Sequence, residues 1–133
     1  MSLRRVLLVD DNPTFLGILT RFLEGQSEDD LRVLGSVVGG RDVLAQAERL
    51  KPDVILLDLE MPDVSGLDLL PQLRKTLPDA ILVALTLMDP DIFRQTAPAG
   101  ADAFVSKASL EHDLVPVIRR LTPLEHRRGA CHC

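Results

Sequence analysis

The sequence has no tryptophan, no tyrosine and only two cysteines in 133 residues. Cys131 and Cys133 flank His132 at the extreme C-terminus, where a disulfide has nothing to staple, so a reducing, cytoplasmic setting is the default expectation. Without Trp or Tyr, intrinsic fluorescence offers no report of metal binding. Basic residues are not in excess. Fifteen Lys and Arg against twenty Asp and Glu give a net charge of −5, which sets no global field to attract nucleic acid. No apolar run approaches the ~20 residues of a membrane span. The short run 6–9, behind Arg4 and Arg5, is too brief for a signal-peptide core and ends in two aspartates. Internal repeats and low-complexity segments are lacking as well. What remains is ordinary for one soluble globular domain able to build a proper core: 46% apolar and 26% charged residues.

One stretch organises the chain, residues 53–66, DVILLDLEMPDVSG. Val54, Ile55, Leu56 and Leu57 suit a strand buried on both faces, and Asp58 follows where that strand meets solvent. Pro62 breaks the strand because it has no N–H for a ladder, and Ser65-Gly66 offers a helix start. Four more strands are predicted, at 5–9, 31–38, 80–85 and 103–106. Helices fill the intervals. The first is capped by Asn12 with Pro13 at its first position, and the others cover 42–50, about 65–76, a short piece from Pro90, and a last one from Ser109. Pro71 requires the third helix to start late or bend, and Pro116 interrupts the last at a nominal ~3 kcal/mol. Five strands alternating with five helices imply an α/β fold, a flavodoxin-like (βα)5 three-layer sandwich. Its parallel five-stranded sheet takes the order 2-1-3-4-5, with strand 2, the least apolar, at an edge. The domain spans 1–122, and 123–133 is a tail or the start of a linker.

The carboxyl ends of parallel strands share one edge, and chemistry collects there. Strand 1 brings Asp10 and Asp11, strand 3 Asp58, strand 4 Thr86 and strand 5 Lys107. Taken singly, each has a bland explanation as a cap, a packed threonine or a surface lysine. Five on one edge are harder to assign to chance. Three carboxylates together repel unless a cation neutralises them, and a few hard oxygen ligands with room for water describe a Mg²⁺ site. An ionised Asp58 can attack phosphorus to form an acyl phosphate, with Lys107 as a point charge and the Thr86 hydroxyl as a directional donor for phosphoryl oxygens.

Asp10-Asp11, LLDLEMPDVSG, Thr86 and Lys107 resemble, in order and spacing, the five signature positions of bacterial two-component response-regulator receiver domains. The resemblance covers about residues 4–122. It implies a chemotaxis-regulator-like fold and a phosphoacceptor switch, with a histidine kinase or phosphotransfer protein as the donor to Asp58. It implies Mg²⁺ bound directly by Asp11, Asp58 and the Glu60 main-chain carbonyl, with Asp10 acting mostly through water. Thr86 then moves toward the phosphorylated site while Phe104 changes rotamer. The fourth helix, fifth strand and fifth helix form the output face toward a downstream effector or output domain, with a phosphorylation-linked homodimer as one use of it. The segment itself is not expected to bind nucleic acid or membrane, nor to be an enzyme beyond assisting its own phosphorylation and dephosphorylation.

Two positions depart from the family's usual residues. Ala108 follows Lys107 where many receivers carry a cis proline, so a trans step is expected, as in receivers of LuxR-type transcriptional regulators. Leu87 stands where a small residue is favoured, which predicts narrowed access to Asp58. Glu60 and Met88 occupy the two positions that tune dephosphorylation, with a sign left open. Two other readings remain: a pseudo-receiver that binds partners without phosphorylation, and a haloacid dehalogenase-type phosphatase, which also uses an aspartyl phosphate. Arg119, Arg120, Arg127 and Arg128 form a basic patch read as a solvated helix end.

Overall fold

The computed structural model describes residues 3–96 and 100–121. Strand β1 (Arg4–Asp10) leads to helix α1 (Pro13–Glu24), then β2 (Leu31–Val38) to α2 (Val43–Leu50) and β3 (Val54–Asp58) to α3 (Gly66–Thr76). After them come β4 (Ile81–Thr86), α4 (Pro90–Thr96), β5 (Ala103–Ser106), one 3₁₀ turn (Lys107–Ser109) and α5 (Leu110–Leu121). The five strands pair in parallel in the order β2-β1-β3-β4-β5, as the alternation of elements requires.

Apolar residues at both parities explain why the central strands lie buried on two sides. Val6, Leu8, Val54, Leu56, Ile81 and Val83 face a core shared with α1 and α5. Their neighbours Leu7, Val9, Ile55, Leu57, Leu82 and Ala84 face the opposite core, with α2, α3 and Phe93 of α4. Every residue of β3 and β4 is buried, so Asp58 and Thr86, the last residues of those strands, are carried into the interior by their apolar predecessors.

Asn12 caps α1 as expected, its side-chain oxygen accepting from the Thr14 and Phe15 N–H groups at 3.0 and 3.2 Å. Pro116 departs from expectation, and Pro71 does not delay the start of its helix. Pro71 and Pro116 both lie inside continuous helices, so neither α3 nor α5 is interrupted. Each leaves one carbonyl four residues earlier without its helical partner. In α5 that carbonyl belongs to His112, an exposed residue, so the break falls on the solvent side of the helix.

One member of the basic patch is also revised, while Arg120 is exposed as expected. Rather than sitting in solvent, Arg119 donates to Asp30 from Nε and Nη2 at 3.0 and 2.9 Å and pairs with Glu28. Arg127, Arg128, Pro98 and the Cys131-His132-Cys133 tail lie outside the described residues. No cis peptide bond occurs among the described residues, the Lys107–Ala108 step included, and none of their helices is long and apolar enough to cross a membrane.

Candidate functional site

The parallel sheet brings the five sequence-predicted residues to one edge. Asp10 and Asp58 close β1 and β3 and are almost wholly buried, Thr86 closes β4 fully buried, and Asp11 is exposed. Lys107 opens the turn after β5. Its Nζ donates to Asp10 Oδ2 at 2.8 Å and lies 3.3 Å from Asp58 Oδ1. Asp10, Asp11 and Asp58 each place one carboxylate oxygen within 4.8 Å of the others.

Backbone donors fix the two buried carboxylates. The Asn12 N–H donates to Asp10 Oδ1 at 2.9 Å, and the Glu60 N–H to Asp58 Oδ1 at 3.1 Å. Burial pushes the Asp58 carboxyl above its ordinary range, and the Asp10 charge adds to the rise. The Glu60 N–H and Lys107 work against that rise without cancelling it. Lys107 shows the complement. Burial pulls its pKa down, but the Asp10 hydrogen bond and the charges of Asp58 and Asp10 outweigh burial and raise it. The pocket is therefore short of positive charge, with the Lys107 ammonium paired to two of the three carboxylates, Asp10 and Asp58.

Several contacts were beyond the reach of sequence reasoning. Lys107 Nζ sits 4.8 Å from the centroid of the Phe15 ring, a cation–π contact that helps hold the ammonium over the carboxylates. Gly66 does more than open a helix. A Cβ there would overlap the Asp58 carbonyl oxygen and stand 2.7 Å from Leu59 Cα, so only glycine lets α3 begin this close to the end of β3. Asp63 in turn ties the β3–α3 loop to the β2–α2 loop, accepting from the Gly40 N–H at 2.9 Å.

Thr86 does not point a free hydroxyl at the pocket. Its Oγ1 donates to Glu60 Oε2 at 2.5 Å, while the Leu87 N–H donates to Glu60 Oε1 at 2.9 Å. The Glu60 side chain, whose role the sequence left open, is thus fastened to the end of β4. Leu87 is 71% exposed. Its side chain is turned to solvent, which argues against the occlusion of Asp58 expected from its bulk. Phe104, the candidate switch aromatic, is half-buried and stacks on Phe93 with centroids 6.2 Å apart and rings 11° from parallel. It borders an open groove of about 730 Å³ along β5 between α4 and α5, away from the carboxylates. That groove belongs to the expected output face rather than to the chemistry.

A family model, the response regulator receiver domain, matches residues 6–119. The chain belongs to this family. Membership as a receiver sets aside the haloacid dehalogenase-type reading. A protein from Nitrobacter winogradskyi named protein-glutamate methylesterase/protein-glutamine glutaminase is 33% identical over 136 residues, covering 92% of this chain. The match takes in 32% of that relative's length, so this receiver corresponds to about a third of it. Among solved structures, a LuxR-family two-component response regulator from an Aurantimonas species superposes with a TM-score of 0.81 at 25% identity, covering 90% of this chain and 85% of its own. The response regulator TrrA of Thermotoga maritima, solved in complex with Mg²⁺ and BeF, gives 0.77 at 28% identity, covering 90% and 99%.

Proposed function

We propose that Asp58 is the phosphoacceptor of this receiver. The observation that supports it is the pairing of a buried carboxylate at the end of β3 with Lys107 Nζ at 3.3 Å, beside two further carboxylates. An Asp58 oxygen attacks the phosphorus of a phosphohistidine on a sensor kinase or phosphotransfer protein. A P–O bond forms, the P–N bond breaks and the imidazole leaves. Lys107 meets the incoming phosphoryl charge, and Thr86 and Phe104 carry the change to the face formed by α4, β5 and α5.

The donor set suits Mg²⁺, being hard oxygens close together with one of the three carboxylates open to water. Asp11, Asp58 and the Glu60 main-chain carbonyl would hold the ion, with Asp10 acting through water. When bound it neutralises the carboxylates and the phosphoryl oxygens. On this reading the segment is regulatory and not itself an enzyme, working in the cytoplasm on a downstream effector or an output domain. The methylesterase relatives favour an enzyme as that output.

Intact mass after incubation with acetyl phosphate, with and without Mg²⁺, tests the proposal. A Mg²⁺-dependent gain of one phosphoryl group by the wild type and none by Asp58→Asn is the expected result. A wild type that gains nothing from acetyl phosphate or a phosphorylated kinase leaves the pseudo-receiver reading in its place.

A further inference from the structure

We propose that the Glu60 carboxylate is a latch that holds the Thr86 hydroxyl away from a phosphoryl group on Asp58, an inference that rests on the phosphoacceptor reading above. Thr86 has one proton to donate, and its Oγ1 gives that proton to Glu60 Oε2 at 2.5 Å, in the range of a strong, charge-assisted bond. The same hydroxyl oxygen accepts from the Met88 N–H at 2.9 Å. The second carboxylate oxygen takes the Leu87 N–H at 2.9 Å, so Glu60 grips the end of β4 at two adjacent residues.

The latch is connected to the acceptor through its own backbone, because the Glu60 N–H donates to Asp58 Oδ1 at 3.1 Å. A phosphoryl group on Asp58 brings oxygens that need the same Thr86 proton, and its negative charge opposes the nearby carboxylate. One proton cannot serve both acceptors. Thr86 therefore turns to the phosphoryl group only by leaving Glu60. The residues freed next are Leu87 and Met88, 71% and 48% exposed, which lead directly into α4. Glu60 is a positioning residue here: it sets how much of the phosphoryl group's binding energy is spent on moving the β4–α4 segment.

Glu60→Gln separates this role from shape. A glutamine can keep the Leu87 N–H on its oxygen, but its amide nitrogen is a donor and releases the Thr86 proton. Binding of beryllofluoride with Mg²⁺, followed by ¹⁹F NMR, is expected to be about tenfold tighter in Glu60→Gln than in the wild type, on the scale of one hydrogen bond to a charged group. In a Thr86→Val background the same substitution is expected to bring no gain. An equal gain in both backgrounds means that Glu60 acts only through its charge and overturns the latch, as does no gain in either. Hydrogen exchange at the Leu87 amide gives a readout independent of the acceptor chemistry. It is expected to speed up about tenfold or more in Glu60→Ala, and an unchanged rate overturns the contact itself. Beryllofluoride that binds neither wild type nor variants overturns the phosphoacceptor reading and the latch's role with it, a result distinct from binding without the gain.

Discussion

Replacing Asp30 by asparagine tests how α5 is fastened to the sheet. Asp30 is 6% exposed and accepts three charged hydrogen bonds: from Arg119 Nε and Nη2 at 3.0 and 2.9 Å, and from Arg4 Nη1 at 2.9 Å. An asparagine keeps one acceptor and turns a donor toward a guanidinium. Removing one partner of a fully buried pair costs about 3–5 kcal/mol. Arg119 is nearly a third exposed and also holds Glu28, which lowers the expectation to about 2–3 kcal/mol. With a urea slope of about 1.5 kcal/mol per molar, the unfolding midpoint of Asp30→Asn falls by about 1.5 M.

The pH dependence supplies the sign. The Arg119 hydrogen bond, against a smaller opposing effect of burial, holds the Asp30 carboxyl below its ordinary value of 3.8. A depressed pKa contributes stability that is complete above the unfolded value and lost as pH falls through the folded one. The gap between wild type and variant should thus be constant from about pH 5 upward and close as the pH drops through and below the ordinary carboxylate range. A gap that is as wide at low pH as at neutrality refutes the reasoning, because it assigns the loss to packing instead of charge.

Asp58→Asn should raise thermal stability in EDTA by about 1 kcal/mol, or about 3–5 °C for a domain of this size. The sign follows from the raised pKa. Burial first, and then the Asp10 charge, make the native state bind a proton more tightly than the unfolded chain, so the ionised group destabilises above its folded pKa. On the proposed Mg²⁺ assignment, millimolar Mg²⁺ should shrink the gain, since the wild type recovers a counter-charge and the variant lacks the Asp58 carboxylate; a fall in melting temperature in EDTA would refute this account. Leu87→Ala should leave the acetyl-phosphate reaction rate within about twofold of wild type, as for other solvent-facing substitutions. A rate increase well beyond that restores the side chain as an obstruction.

Sequence alone determined the sheet, its order and the edge on which the site lies. Those depend on local signals that tertiary context reinforces: apolar residues at both parities in β3 and β4, the Asn12-Pro13 helix start, and polar residues at each strand's carboxyl end. The prolines show where such signals weaken. Pro71 and Pro116 oppose helix continuation locally, but Leu69, Leu70 and Leu73 in α3 and Leu114, Val115 and Ile118 in α5 are buried around them and hold both helices together. Tertiary structure alone decided which side chains meet. Asp30 and Arg119 are 89 residues apart, and Lys107 reaches Asp10 across 97. The place of Gly66 against the Asp58 carbonyl and the grip of Glu60 on Thr86 likewise depend on backbones and rotamers fixed by packing. A residue's type and spacing state what it can bond to. Which partner it receives is settled only when the interior closes and every buried donor and acceptor must be satisfied together.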